Sequence, residues 1–233
     1  MEKTAQRIGR QTLRKHKLMF IHIPKNAGRV IMRHLFGPGT QGYWAGRGSP
    51  PANSHITADH FNDIKGYGNY TTFCFSRDPY ERFVSVYCHN SRPAKEKKNI
   101  IHTISVAEAI DMLEENTVQR QTPEGQWIKD DTKLSGHFQP QTYWIGERTE
   151  IYRVDNLKKD MITFAKKHGL PKLESRSRKW KARPHGRTAL KRRGVVTKLL
   201  QKALSTEPHL ANKFMDWYRS DFEVLGYKEK DNK

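Results

Sequence analysis

Cysteine is scarce. The 233 residues hold only Cys74 and Cys88, too few for a disulfide framework, and neither has neighbours at metal-ligand spacing. Long apolar runs are missing too: none approaches the roughly 20 residues that a membrane span takes. The basic stretch Met1 to Lys17 has no apolar segment behind it, so it does not read as a secretory signal. G-x-x-x-x-G-K-[ST] does not occur, and the one G-x-G-x-x-G, Gly37 to Gly42, follows a helical pattern instead of joining a strand to a helix. Neither of the two commonest glycine-rich nucleotide signatures therefore stands in its required setting. Hydrophobic residues make up 35%, below the usual share, so a sizeable surface or segment must be polar. These absences argue against a membrane-spanning protein and against a disulfide scaffold.

What is abundant is positive charge, 43 Lys and Arg against 24 Asp and Glu. It is concentrated. Lys158 to Lys202 holds 16 cations and only Asp160 and Glu174 as acids, and Lys3 to Lys17 adds six more cations. Such a field attracts polyanions: nucleic acid, sulfated or carboxylated glycans, or a phosphate-rich nucleotide. The alternative is a solubilising surface. The crowding of arginines in a Gly/Pro-bearing stretch, Arg176 to Gly194, favours an anion-binding role.

Length suits one large domain or two small ones, and the order of elements predicts an α/β fold with a central parallel sheet flanked by helices. Residues 1–17 read as a basic N-terminal arm and 18–233 as a single domain. Leu18–Ile23 is a strand-length apolar run that Pro24 ends. After the turn Pro24–Gly28, Arg29–Phe36 has helical spacing, with Val30, Ile31, His34 and Leu35 on one face. A long Gly/Pro-rich loop spans Gly37 to Pro51. Thr71–Ser76 is a second strand, stopped by Arg77-Asp78-Pro79, and Tyr80–Asn90 a helix that Pro79 opens. The polar loop Ser91–Asn99 leads to a helix over Val106–Glu115, and residues 117–137 read as irregular. Glu150–Val154 is a third strand. Helices are expected over Leu157–His168, Val195–Ala203 and Pro208–Tyr218.

Two segments carry chemistry. Pro24-Lys25-Asn26-Ala27-Gly28 lies where a strand hands over to a helix, and outward-pointing backbone N–H groups at a helix start favour an anion. Gly28 lets the backbone approach closely, while Lys25 adds a mobile charge. On spacing alone an ordinary corner with a surface lysine fits equally well. The second segment puts Arg77 at a strand's end and Ser85 about two turns into the next helix, where guanidinium and hydroxyl could grip one phosphate. Taken alone, a helix start with a capping acid and a surface arginine is the commoner situation.

Together, Phe20-Ile21-His22-Ile23-Pro24-Lys25-Asn26-Ala27-Gly28 and Phe75-Ser76-Arg77-Asp78-Pro79-Tyr80-Glu81-Arg82-Phe83-Val84-Ser85 resemble the nucleotide signatures of the sulfotransferase superfamily. The likeness is to the family 2 type, which includes carbohydrate O-sulfotransferases. Tyr152 to Leu157 and Tyr218 to Tyr227 are similar to two later segments of that family. The resemblance implies a P-loop-like sulfotransferase fold and 3′-phosphoadenosine 5′-phosphosulfate (PAPS) as sulfuryl donor, with no metal. It implies that Lys25, Asn26, Ala27, Gly28, Arg29 and Val30 hold the 5′-phosphosulfate, and that Arg77 and Ser85 hold the 3′-phosphate. Where the family reads Pro-Lys-Thr-Ala-Gly-Thr-Ser, this chain has Asn26, Arg29 and Val30; Val30 cannot donate from its side chain.

Sulfuryl transfer to an alcohol needs a base for the acceptor's proton, and histidine suits the task. Ser54-His55-Ile56-Thr57 resembles the family's base segment, which makes His55 the expected general base, with Lys25 stabilising the bridging oxygen as the nucleotide leaves. His60 is the runner-up; His102 and His137 are less defined. The expected partners are PAPS and a hydroxyl-bearing acceptor, a carbohydrate first, with tyrosine residues and small alcohols left open. By the resemblance, the basic stretch Arg176–Arg193 either closes over the nucleotide, with Lys181 or Arg183 reaching the 3′-phosphate, or lines the acceptor groove and selects an anionic glycan. Acceptor selectivity is placed in the loops Gly37–Asn53 and Ser91–Thr103. The expected setting is soluble: bacterial or viral cytoplasm, or the trimmed lumenal domain of an anchored enzyme. Three rivals stand beside this reading: a nucleotide-dependent kinase, which the missing Walker-type residues count against, a sulfotransferase-like protein that binds nucleotide without turnover, and a polyanion- or nucleic-acid-binding protein. Against nucleic acid, the basic stretch carries only Phe164 and Trp180 as aromatics, too few for a base-stacking platform.

Overall fold

Three short strands and eight helices are built from the residues that the computed structural model describes: 13–36, 56–91, 103–114, 117–120, 128, 130, 132–178 and 187–229. His55, His102, Lys181, Arg183, most of the basic arm, the loop Gly37–Asn53 and nearly all of Ser91–Thr103 lie outside the described residues. The chain divides into two compact units, Met1–Arg77 with Trp144–Arg183, and Asp78–Tyr143 with Pro184–Lys233. Among the described residues no helix is long and apolar enough to cross a membrane.

The first unit holds the sheet. Strands β1 (Leu18–Phe20), β2 (Thr71–Ser76) and β3 (Thr149–Arg153) lie in that order, all parallel, with Leu18 opposite Thr71 and Phe73 opposite Glu150. β2 is central and buried from Thr72 to Ser76, so apolar Phe73, Cys74 and Phe75 follow one another without alternation: a parallel strand covered on both faces has no solvent side to alternate with. Phe73 and Phe75, two apart, share a face. They join Phe20 in a core with Ile31, Met32 and Leu35 of α1 (Gly28–Phe36), Met161, Phe164 and Ala165 of α5 (Leu157–Lys167), and Leu173 of α6 (Pro171–Arg178). The Phe73 and Phe164 rings stack 4.1 Å apart.

Two expectations change here. Leu13 belongs to this core and residues 13–15 are helical, so the arm read as polar to Lys17 contributes its last turn to the fold. On α1 the buried arc centres between Ile31 and Leu35. It therefore takes in Met32 and leaves Val30 42% exposed. At the sheet's β3 side, Glu150 accepts hydrogen bonds from Lys167 Nζ at 2.8 Å, His168 Nε2 at 3.0 Å and Tyr152 OH at 2.8 Å. Burial alone would push its carboxyl pKa up; these donors outweigh it and hold the carboxyl below its usual range.

The second unit is helical. Asp78 caps α3 (Pro79–Asn90), its Oδ1 accepting from Glu81 N at 2.9 Å, with Pro79 at the first helical position. A Ser105–Glu108 capping box starts α4 (Val106–Asp111). The remaining helices are α2 (Ala58–Asp63), in the first unit, and α7 (Arg187–Thr206) and α8 (Pro208–Leu225) here. Tyr80 stacks on Phe214 at 5.0 Å, and Phe83 meets Phe138 and Phe214 edge-on.

Beside these rings lies a buried polar network. Asp221 accepts from Gln141 Nε2 at 3.1 Å and from the Thr142 amide at 3.0 Å, and Arg82 donates to the His137 carbonyl at 2.8 Å. Burial pushes the Asp221 carboxyl pKa up; the Arg82 charge and the donors from Gln141 and Thr142 oppose it without cancelling it.

α7 begins at Arg187, so the basic stretch read as a loop to Gly194 is helical over its last eight residues. Glycine inside a helix costs about 1 kcal/mol against alanine. Burial of Val196, Leu200, Ala203 and Leu204 and the hydrogen bonds from Arg192 to Ser91 O and Oγ offset it. Likewise α8 runs past Tyr218 to Leu225, where Gly226 at φ 63° stops it.

Candidate active site

The turn between β1 and α1 is not a relaxed one. Lys25 at φ 69° and Ala27 at φ 56° both occupy the left-handed region without being glycine, at a cost of about 1–3 kcal/mol each. The surroundings hold them there. Asn26 is 2% exposed and its Nδ2 donates to Phe75 O of β2 at 2.8 Å. Arg77 Nη1 reaches Lys25 O at 3.4 Å, a long hydrogen bond. The loop is thus tied to the end of β2 at two successive residues.

This geometry narrows the expected anion contacts. Of the five amides from Asn26 to Val30, that of Asn26 donates to Ile23 O at 3.3 Å and that of Val30 to Ala27 O at 2.8 Å. Among the described residues no carbonyl partners the amides of Ala27, Gly28 and Arg29, which are the orphan donors of the first turn of α1. Consecutive N–H groups in a turn of alternating handedness form a concavity suited to an oxyanion. Lys25 stands half-buried beside them and Arg29 is exposed. The Asn26 side chain, by contrast, is engaged with the sheet.

Arg77 closes the first unit at the C-terminal end of β2, half-buried. That is where ligands of parallel α/β sheets gather. Ser85 is half-buried on α3, in the second unit. His60 is half-buried on α2, whose cap is Thr57 Oγ1 accepting from His60 N at 3.2 Å. In the second unit, His137 has its ring 5.7 Å from that of His89.

One residue that motif spacing gave no reason to single out is His22. It lies half-buried between Ile21 and Ile23, both fully buried. Its ring covers Gly28 so closely that a Cβ there would overlap the imidazole. The signal available in the sequence is alternation alone: past Phe20, the chain keeps pairing with β2 through Ile21 N to Phe73 O at 2.8 Å, which turns residue 22 away from its buried neighbours.

α7 contains no acidic residue, and Lys191, Lys198 and Lys202 form an exposed row along it, spaced seven and four apart.

No curated protein and no solved structure matches the chain. The model of the Sulfotransferase family matches residues 11–228, from before β1 to beyond the last helix, and the chain belongs to that family.

Proposed function

We propose that this sulfotransferase moves the sulfuryl group of PAPS onto a hydroxyl of a carbohydrate, by in-line displacement with His55 as general base. Sulfuryl transfer in general follows from family membership. The observation that carries the donor assignment is the loop: the amides of Ala27, Gly28 and Arg29, held by a strained turn beside Lys25, fit a doubly anionic phosphosulfate. Lys25 would meet the charge that grows on the bridging oxygen as the sulfur–oxygen bond to phosphate breaks. The acceptor oxygen bonds to sulfur, its proton passes to His55, and a sulfate ester and 3′,5′-adenosine bisphosphate result. Arg77, at the end of β2, is the proposed partner of the 3′-phosphate; the assignments of Ser85 to that phosphate and of His55 as base rest on the sequence resemblance. An anionic glycan as acceptor is favoured by the lysine row of α7.

A thermal-shift titration with 3′,5′-adenosine bisphosphate, beside 5′-ADP, ATP and ATP–Mg²⁺, tests the donor class without knowledge of the acceptor. The expected result is a rise in Tm with the 3′-phosphorylated nucleotide alone. A shift confined to ATP–Mg²⁺, or none, overturns the reading. Arg77→Ala is expected to weaken bisphosphate binding by about 1.5–3 kcal/mol, the scale of a charge-assisted hydrogen bond, while 5′-ADP binding changes less. Equal losses for both nucleotides would show that Arg77 acts only through its hold on Lys25 O.

A further inference from the structure

Gly28 is expected to be glycine so that an anion can approach the backbone closely. The structure contains a different occupant. The space a Gly28 side chain would need is filled by the His22 imidazole, whose Nε2, Cδ2 and Cε1 all crowd the Cβ position. The ring is fixed from behind, near-parallel to Phe20 at 6.1 Å, with 24° between the planes. Phe20 in turn packs against Phe73 at 5.4 Å and Phe75 at 6.3 Å. A continuous stack therefore runs from the sheet through Phe20 and His22 to the first residue of α1.

The loop between His22 and Gly28 contains the two left-handed residues, Lys25 and Ala27. Two hydrogen bonds tie it across to the β2 side, Asn26 to Phe75 O and Arg77 to Lys25 O. Both hold the middle of the loop to β2, and neither touches the point where the loop becomes helix. That end carries the orphan amides of Ala27, Gly28 and Arg29. Contact with an imidazole at Gly28 fixes where those amides point.

We infer that His22 is a positioning residue of the anion loop, acting as a prop under the start of α1, and that Gly28 is glycine to admit this ring. The inference deepens the reading of the loop as the donor site and rests on it where ligand affinity is concerned. The prop itself is a property of the ligand-free chain.

The test is a double-mutant cycle on the full chain with His22→Ala, Gly28→Ala and the pair, read in two ways. Hydrogen exchange at the amides of residues 26–31 reports loop opening without any nucleotide. Calorimetric titration with 3′,5′-adenosine bisphosphate, well below the Tm of every variant, reports affinity. Gly28→Ala forces the ring out, so exchange should quicken and affinity fall by about tenfold or more, the scale of an overpacked contact. His22→Ala should quicken exchange at the same amides and weaken binding by a smaller factor. In the pair the added methyl has room, and both readouts should return to those of His22→Ala alone. If the pair is as impaired in affinity as Gly28→Ala, or the two losses multiply, Gly28 serves the anion and the inference is overturned. It is equally overturned if His22→Ala leaves exchange at residues 26–31 unchanged. Failure of the donor reading looks different: the unmutated protein would not bind the bisphosphate at all, and the exchange cycle would still decide the role of His22.

Discussion

Replacing His55 with alanine is expected to cut sulfuryl transfer by about 10²–10⁴-fold, the usual worth of a general base. Affinity for 3′,5′-adenosine bisphosphate should stay where it was, because the base contacts the acceptor hydroxyl and not the nucleotide. The two readouts together make the result specific: a variant that misfolds loses both. The pH profile offers a second check. A histidine base works only when neutral, so activity of the unmutated enzyme should rise with pH through the ordinary histidine range near 6.5. Residual activity of His55→Ala should lack that rise. Retained turnover with the rise intact would pass the role to another histidine, and His60 on α2 is the next to test.

The second large effect is on stability. Asp221→Ala is expected to cost about 1–3 kcal/mol for each of the two donors that lose their bond to it, with the urea midpoint falling and the m-value unchanged. Asp221 is fully buried and receives hydrogen bonds from the Gln141 side chain and the Thr142 amide. Asp221→Asn should cost less than alanine, since an amide oxygen can still accept from the Thr142 amide. If asparagine were as damaging as alanine, the negative charge would be what matters and the hydrogen bonds incidental. If both variants were near neutral, this network would contribute nothing to the stability of the second unit.

How far the sequence could be read depended on the range of the forces involved. β2 and α3 were legible because their determinants are local: a strand-length run rich in β-branched and aromatic residues, Thr71 to Phe75, then Asp78 as cap and Pro79 in the first turn. The Sulfotransferase family was legible from two short motifs for the same reason. The first half of α7 was not, because Gly194 and a cluster of arginines look like loop until burial of Val196, Leu200 and Ala203 and the tie from Arg192 to Ser91 are seen. The end of α8 had its signal in Gly226, which the expected stop at Tyr218 passed over. At the site, spacing placed the loop and Lys25 correctly on a strand–helix turn. It could not show that Asn26 faces β2, that the amides of Ala27, Gly28 and Arg29 meet no carbonyl among the described residues, or that an imidazole lies against Gly28. Each of these depends on residues brought together across the sheet or the turn.

The order of the strands has a consequence for how the protein is made. β2 and β3 are neighbours, with the hydroxyls of Thr72 and Thr149 2.8 Å apart, yet these residues are separated by 77 positions of chain. Translation at roughly 5–20 residues per second leaves β2 without that partner for roughly 4–15 s. Throughout that interval the segment Thr71–Ser76 has an open hydrogen-bonding edge and an apolar centre, Phe73 to Phe75, which is the form in which nascent strands pair wrongly. Folding on the ribosome should therefore be the step most dependent on chaperones that shield extended apolar chain. The helical second unit cannot fold ahead of it, because α8, whose Phe214 packs against Tyr80 and Phe83, is synthesised only after β3.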